Sequence, residues 1–446
     1  MKQNTLFSSF IRYTAANVCG MLGLSCYILA DTFFVANRLG GNGLTALNLA
    51  IPVYSFVHGT GLMLGMGGAS KYTILKEQHR DSEADSVFSA TLCLAAVFAI
   101  LFLIAAIFFA PQITSLLGAD VQVFSMTNTY LKVILLFSPA FLLNDILVCF
   151  VRNDKAPKLS MAAMLTGSIS NIILDYVFLY PMQMGIFGAV LATGLAPVIS
   201  LCILSIHFIR RKNTFHLSVS HPDFRRITSI LSLGVPSLIT ELASGIVIIV
   251  FNIIILKLSG NTGVAAYSII ANISMVITAI YTGIAQGCQP IIGKAFGANQ
   301  RSDIRHILRY ALITMIVISC VVYLLLFLLS EPVISAFNSE HDPYLQTIAA
   351  NGLILYFTAI PFAGFNIILA TYFVAIGKAI PAQIISLLRG FIFLIPIAIL
   401  LSVCFQLTGV WLSYPLTELL VAIISYFLFH RSRKAELRIT STEPQL

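Results

Sequence analysis

The sequence predicts an all-α integral membrane protein with twelve transmembrane helices in two pseudo-symmetric six-helix lobes. Three observations lead there: too few charges for a water-facing surface, lysines and arginines that alternate along the chain, and an internal repeat. Of 446 residues, 58% are hydrophobic and only 10% are charged, and the mean hydropathy is +0.93. Soluble domains carry about 25% charged residues, so lipid is the expected solvent. Apolar runs near 13–37, 45–72, 88–110, 127–151, 160–181, 187–209, 229–257, 264–292, 307–330, 347–376, 382–404 and 408–430 each approach the ~20 residues that cross a bilayer as a helix. These runs are too long and too uniformly apolar for a closed β-barrel. The start shows no removable signal: Met1 to Phe10 is short and polar, and the apolar stretch from Ala16 to Leu39 is too long and varied for one.

The basic residues set the direction. With the start of the chain inside, all of the 26 lysines and arginines fall in inside loops except Arg38, Lys132, Lys257 and Arg389. Reversing any one span would spoil that alternation, so both termini are expected on the cytoplasmic side. The net charge of +8 is then a topology signal, and a nucleic-acid partner is not expected. Eight cysteines (19, 26, 93, 149, 202, 288, 320 and 404) all lie in apolar spans and none forms a Cys-x-x-Cys pair. They read as small buried hydrophobes, with no disulfide and no zinc.

The repeat has an offset of about 220 residues by direct comparison of the two stretches. Leu39 to Gly68 and Leu258 to Pro290 both open on Leu-x-Gly-Asn, run through a long helix and close on Gly-x-x-x-Gly, at Gly61/Gly65 and Gly283/Gly287. Small residues at that spacing let helices approach closely. The lobes are expected at 1–215 and 216–446. Both halves start on the same side, so the repeat is parallel, a plan in which two halves rock about a central cavity. That suits a transporter better than a channel or a receptor.

Ionisable groups at membrane depth are costly and mark function. Asp31, Asp145, Asp175, Glu241 and Glu418 are the carboxylates so placed. Spans 1 and 5 run outward and span 6 inward. At 1.5 Å per residue, Asp31, Asp175 and Thr193 come to one level in the outer half. Asn171 shares a helix face with Asp175, and Ala189 shares one with Thr193. These are hard oxygen ligands, suited to a small cation or to a proton shared between two carboxylates that cannot both ionise cheaply. Tyr27, four residues before Asp31, is placed either to donate a hydrogen bond to it or to pack in the core. Asn144 and Asp145 are expected to line a cavity, and Glu241 and Glu418 to form a second polar site. Arg389 and Lys132 are expected to snorkel to the two faces, and His58 to be packed and neutral. Pro52, Pro139, Pro236, Pro361, Pro396 and Pro415 interrupt spans and permit kinks.

A set of local patterns adds a resemblance. It comprises Tyr27-Ile-Leu-Ala-Asp31-Thr, Arg152-Asn-Asp154, Asn171-Ile-Ile-Leu-Asp175-Tyr, and Gly185-Ile-Phe-Gly188 running on to Thr193. Pro236-Ser, Phe251-Asn252, Gly283 to Pro290 and Trp411 to Glu418 extend it. The chain resembles the MATE family (multidrug and toxic compound extrusion), with its MepA-like and DinF-like bacterial branches nearest. The resemblance implies two six-helix lobes in a V around a substrate cavity, with no cofactor. It implies efflux of cationic amphipathic drugs by a monomer in the bacterial inner membrane, driven by inward H⁺ or Na⁺. It also implies a cation site at Asp31, Asn171, Asp175, Thr193 and the Ala189 carbonyl. The substrate cavity would use Tyr27, Asn144, Asp145, Glu241 and Glu418. Three departures stand out: Asn366 is the nearest polar residue to a span-10 acid that some members carry, Glu241 falls only five residues after Pro236, and Lys155 replaces a usual glycine. The first two argue against a second cation site. A flippase for a lipid-linked envelope precursor is the alternative, but it would need cavity cations, and only Lys132 and Arg389 are available. No signature of an intramembrane enzyme is present.

Overall fold

The computed structural model describes residues 3–218, 223–338 and 342–442; Lys2 lies outside them. Among the described residues, eight helical runs are long and apolar enough to cross a membrane. A ninth forms when the bent pair Phe124–Leu136 and Ser138–Asn153 is taken as one span. Three of the runs contain a backbone reversal, and counting both arms of each gives twelve spans. Gln3–Glu77 breaks at Gly40 into spans 1 and 2, and Phe224–Gly297 breaks at Gly260 into spans 7 and 8. The run Ala379–Lys434 breaks at Gln406 into spans 11 and 12. Between them lie span 3 (Asp81–Leu116), span 4 (the bent pair), span 5 (Pro157–Leu179), span 6 (Gly185–Ile209), span 9 (Arg301–Leu328) and span 10 (Pro343–Ala375).

The repeated Leu-x-Gly-Asn turns adopt one backbone conformation. Gly40 has φ 66° and ψ −159°, and Gly260 has φ 62° and ψ −157°. This region of φ/ψ is open to glycine because it lacks a Cβ. The reversal uses the first glycine of Leu-Gly-Gly-Asn but the only glycine of Leu-Ser-Gly-Asn, a shift of one position.

The prolines act unequally. Span 4 bends by 50° just before Pro139, and span 10 tightens to a 3-10 turn at Phe357–Ala359 just before Pro361, so these two open new helical segments. Pro52, Pro236 and Pro415 stay inside continuous helices. In span 11 a π-turn at Leu388–Ile392 precedes Pro396.

Lipid explains the surface. Along span 3, Val97, Ile100, Leu101, Ile104, Ile107 and Phe108 are 42–64% exposed, a continuous apolar face that water would not tolerate. Two apolar cores lie inside. One runs from Val35 to Ile230; the other runs from Leu233 to Val421 and also takes in Leu6, Phe10 and Tyr13 from the start of span 1. The linker that follows span 6 is pinned to the first core through Phe215, which is fully buried among Phe88, Phe150 and Phe208.

The cores meet where glycines remove side chains. A Cβ at Gly67 would stand 2.1 Å from the Ile230 carbonyl oxygen, and one at Gly234 would stand 1.9 Å from that of Met63. Gly283 and Gly287 similarly face the Val18 and Thr14 backbones at 2.6 and 2.7 Å. The repeated glycine pair is used differently in the two halves. Gly283/Gly287 admits span 1 across the seam, whereas Gly61/Gly65 lies against Asp145 of its own half. All of these approaches except Gly61/Gly65 fall toward the end of the bundle that carries the basic loops, called the basic end below.

Gly234→Ala is expected to cost about 1–3 kcal/mol by overpacking the seam. Gly41→Ala, with nothing within 4 Å of the added Cβ, is expected to stay within about 0.5 kcal/mol of the parent. Thermal unfolding of the two purified variants checks the contrast.

Candidate functional site

The parallel packing of spans 1 and 5 sets the level of the two acids. A Cβ on Gly23 would touch Leu165 at 2.7 Å and Ser168 at 3.5 Å. Eight residues beyond Gly23 and seven beyond Ser168, along helices that rise together, lie Asp31 and Asp175. Spans 5 and 6 run antiparallel, with Gly167 facing Ala196 at 3.2 Å. Moving away from the basic end from that contact brings Asn171 opposite Thr193. The structure therefore brings Asp31, Asn171, Asp175, Ala189 and Thr193 into one buried cluster, each 0–6% exposed.

Its hydrogen bonds leave acceptors over. Asn171, in the orientation that satisfies its amide, donates to Asp175 Oδ2 at 3.0 Å and accepts from the Thr193 backbone N–H at 3.2 Å. The Thr193 hydroxyl donates to the Ala189 carbonyl at 3.2 Å. Asp31 Oδ1 and Asp175 Oδ1 are both buried without a partner. Buried polar atoms are almost always satisfied, so these two open carboxylate oxygens are exceptions in the packed interior. Tyr130 of span 4, 4% exposed, is buried in the same core as Ala189.

A second cluster sits between the cores. His58 Nδ1 lies 2.9 Å from Asp145 Oδ2, so the expectation of a merely packed histidine is corrected: its ring is a partner of a carboxylate. Tyr54 stacks on His58 with ring centroids 5.8 Å apart. The Tyr27 and Tyr54 hydroxyls share a hydrogen bond at 2.8 Å, so Tyr27 turns away from Asp31, because the ring extends across to span 2. Asn144 keeps Oδ1 buried and without a partner. Glu241 of span 7 joins this cluster, its Cβ lying 3.0 Å from where Gly59 would carry one.

Glu418 belongs elsewhere, which corrects its expected pairing with Glu241. It accepts from Arg389 Nε at 3.0 Å and Nη2 at 2.8 Å and from Asn366 at 2.7 Å; Asn366 in turn accepts from Ser425 at 2.9 Å. Arg389 therefore does not snorkel. The π-turn in span 11 aims it inward, where a carboxylate repays its desolvation better than a membrane face would. Lys132, by contrast, is exposed.

With this geometry in place, the comparisons with known proteins are decisive. The family profile described as MatE matches residues 18–177 and 236–400, most of both halves. The chain belongs to the MatE family. It is similar to the multidrug export protein MepA of Staphylococcus saprophyticus, 24% identical over 98% of this chain and 97% of that one. It is similar also to MepA of Staphylococcus aureus, 23% identical over 97% and 95%. Among solved structures, an outward-facing multidrug resistance MATE family transporter of the MOP superfamily superposes with a TM-score of 0.88 at 24% identity over 96% of each chain. A MOP superfamily transporter from Pyrococcus furiosus gives 0.87 at 24% identity over 96% of each chain. These structural likenesses support the MatE fold.

A third polar cluster in this MatE chain gathers around the Arg152-Asn-Asp154 triplet, with amides that the sequence does not mark as its partners, Asn17, Gln286 and Gln289. Arg152, 1% exposed, donates through Nη1 to Asn17 at 2.9 Å and to Gln286 at 2.8 Å, and through Nη2 to Met66 at 3.2 Å. Its Nε is buried without a partner. Asn153 accepts from Thr73 at 2.9 Å and reaches Gln289 at 3.5 Å, and Gln289 donates to Ser70. Asp154 takes His207 at 2.8 Å, the Thr214 backbone N–H at 2.8 Å and the Thr214 hydroxyl. The Arg-Asn-Asp triplet thus ties spans 1, 2 and 4 to span 8 and holds down the linker after span 6. Lys294 to Glu77, at 3.3 Å, closes the same end. Next to it, Lys76 pairs with Asp81 and Arg80 with Glu83, each at 2.7 Å. Gln286 sits inside the glycine pair of span 8, and a search for amides at membrane depth would have found it.

Two tests follow from these clusters. Arg389→Leu is expected to destabilise by about 3–5 kcal/mol, because it strands the Glu418 charge, and Arg389→Leu with Glu418→Leu is expected to recover most of that loss; chemical unfolding of both checks it. Gln286→Leu removes one acceptor from a buried guanidinium, at about 1–3 kcal/mol. It is expected to raise maleimide labelling of the buried Cys149 and Cys288 several-fold, read by mass spectrometry.

Proposed function

We propose that the chain is a cation-coupled exporter of cationic amphipathic compounds, working by antiport and alternating access between lobes 1–215 and 216–446. The observation that carries the reading is the pair Asp31 and Asp175, buried at one level with an open oxygen on each. The kinship with staphylococcal multidrug export proteins supports export, and the paired carboxylates support coupling to H⁺ or Na⁺. Binding of the coupling ion neutralises the pair, spans 1, 5 and 6 shift, and substrate held between the lobes is released outside. The basic end is cytoplasmic by the charge rule, which puts both termini inside a bacterial inner membrane, with the chain acting as a monomer. No cofactor or catalytic residue takes part.

The reading also accounts for the seam. Its polar ties, Arg152 to Gln286 and Asn153 to Gln289, lie at the basic end and would have to break for substrate to enter from the cytoplasm. A flippase of anionic lipid carriers is disfavoured, because Arg389 is neutralised by Glu418 and Lys132 is exposed.

Efflux of ethidium from vesicles, driven by a pH gradient or a Na⁺ gradient imposed one at a time, tests the reading and identifies the ion. Asp31→Asn with Asp175→Asn is expected to drop gradient-driven efflux at least tenfold while leaving thermal stability within about 1–2 kcal/mol. Full-rate export by that double variant would refute the coupling site.

A further inference from the structure

The interlobe cluster holds titratable groups that the coupling scheme above does not use. His58 (span 2) faces Asp145 (span 4) at 2.9 Å, with the two side chains only 12% and 8% exposed. Tyr54, on the same helix as His58, stacks on the ring and shares a hydroxyl hydrogen bond with Tyr27 of span 1. Glu241 approaches from span 7, in the other lobe, beside Gly59. These are the charged and titratable groups facing His58 from the elements around it. The cluster therefore spans the seam at which two lobes must part, with carboxylates on both sides of it and aromatic faces from Tyr54 and Phe141.

The charge count is simple. With imidazolium at His58 and both carboxylates ionised, the cluster carries one net negative charge, and Asp145 is already paired. With neutral imidazole it carries two. Nδ1–H donates to Asp145 in either state, so the exchangeable proton is on Nε2. Only the neutral state leaves the Asp145 charge uncompensated, beside aromatic rings that favour a cation over their faces.

We propose that His58 is a proton-operated switch on an organic-cation site between the lobes. Neutral, it lets Asp145 and Glu241 together hold an aromatic monocation; protonated, it balances Asp145 and releases that cation. This proposal rests on the export reading but deepens it. Proton and substrate would exclude one another directly at His58 and Asp145, a place separate from Asp31 and Asp175, so protonation could eject substrate even if the coupling ion at the other cluster were Na⁺.

The test is ethidium binding to the full chain in lipid nanodiscs, by fluorescence polarisation across about pH 6–10. Wild-type affinity is expected to fall on the order of tenfold on acidification, one pKa unit of coupling being a factor of ten. His58→Gln keeps a donor for Asp145 but cannot titrate, and is expected to bind at the high-pH affinity throughout. Asp145→Asn is expected to bind about tenfold more weakly with a flat profile, and it reads the same switch from the acceptor side should His58→Gln fail to fold. A profile that survives in His58→Gln overturns the switch alone. Wild-type protein that neither binds nor exports ethidium overturns the export reading beneath it.

Discussion

The contact on which the rest depends is the close approach of spans 1 and 2 to spans 7 and 8 at the basic end. In lipid there is little hydrophobic force between helices, and association relies on packing and on interhelical hydrogen bonds. Gly67, Gly234, Gly283 and Gly287 bring backbones so near that a methyl group would collide with carbonyl or Cα atoms across the seam. Only at that distance can Gln286 reach Arg152 and Gln289 reach Ser70. A buried guanidinium whose partners are amide oxygens and sulfur atoms is expensive to maintain. It is the kind of contact that two lobes can make in one arrangement and give up in another.

The two halves share a scaffold but have opposite electrostatics. Pro139 and Asn144 recur as Pro361 and Asn366 at the spacing that also relates Gly61 to Gly283, and both prolines start a helical segment after a break. Past that point the halves part. The first half buries two carboxylates with open oxygens. The second supplies a cation from within the chain, Arg389, to its most deeply buried carboxylate, Glu418. A guanidinium tethered to the backbone cannot leave, so Glu418 has no vacancy for an exchanging ion. That gives a physical account of why only the first half reads as a coupling lobe.

Much of the cluster around Asp175 was legible in the sequence, because it follows from helix geometry alone. Four-residue spacing places Asn171 below Asp175 and Ala189 by Thr193, and rise per residue places Asp31 at their level. Tyr130 was not legible, since nothing in span 4 marks which of its faces meets span 6. Tyr27 is ambiguous in the sequence for the same reason: neighbours four apart on a helix share a face, but a tyrosine ring is long enough to prefer a partner on the next helix. His58 and Arg389 were misjudged because hydropathy treats each span as alone in lipid. Snorkelling is the cheapest course for an isolated arginine, while a carboxylate two helices away is cheaper still.

The sequence by itself determined the solvent, the twelve spans, the repeat and the depth of each acid. Those are properties of single helices, set by composition and by a fixed rise per residue. Only the tertiary structure decided the partners: Asp145 with His58, Glu418 with Arg389, Arg152 with Gln286, and Glu241 with the first lobe and not the second. Partnership depends on which faces turn toward one another, and that is settled by where glycines allow two backbones to meet, a relation between distant stretches of chain that no local spacing encodes.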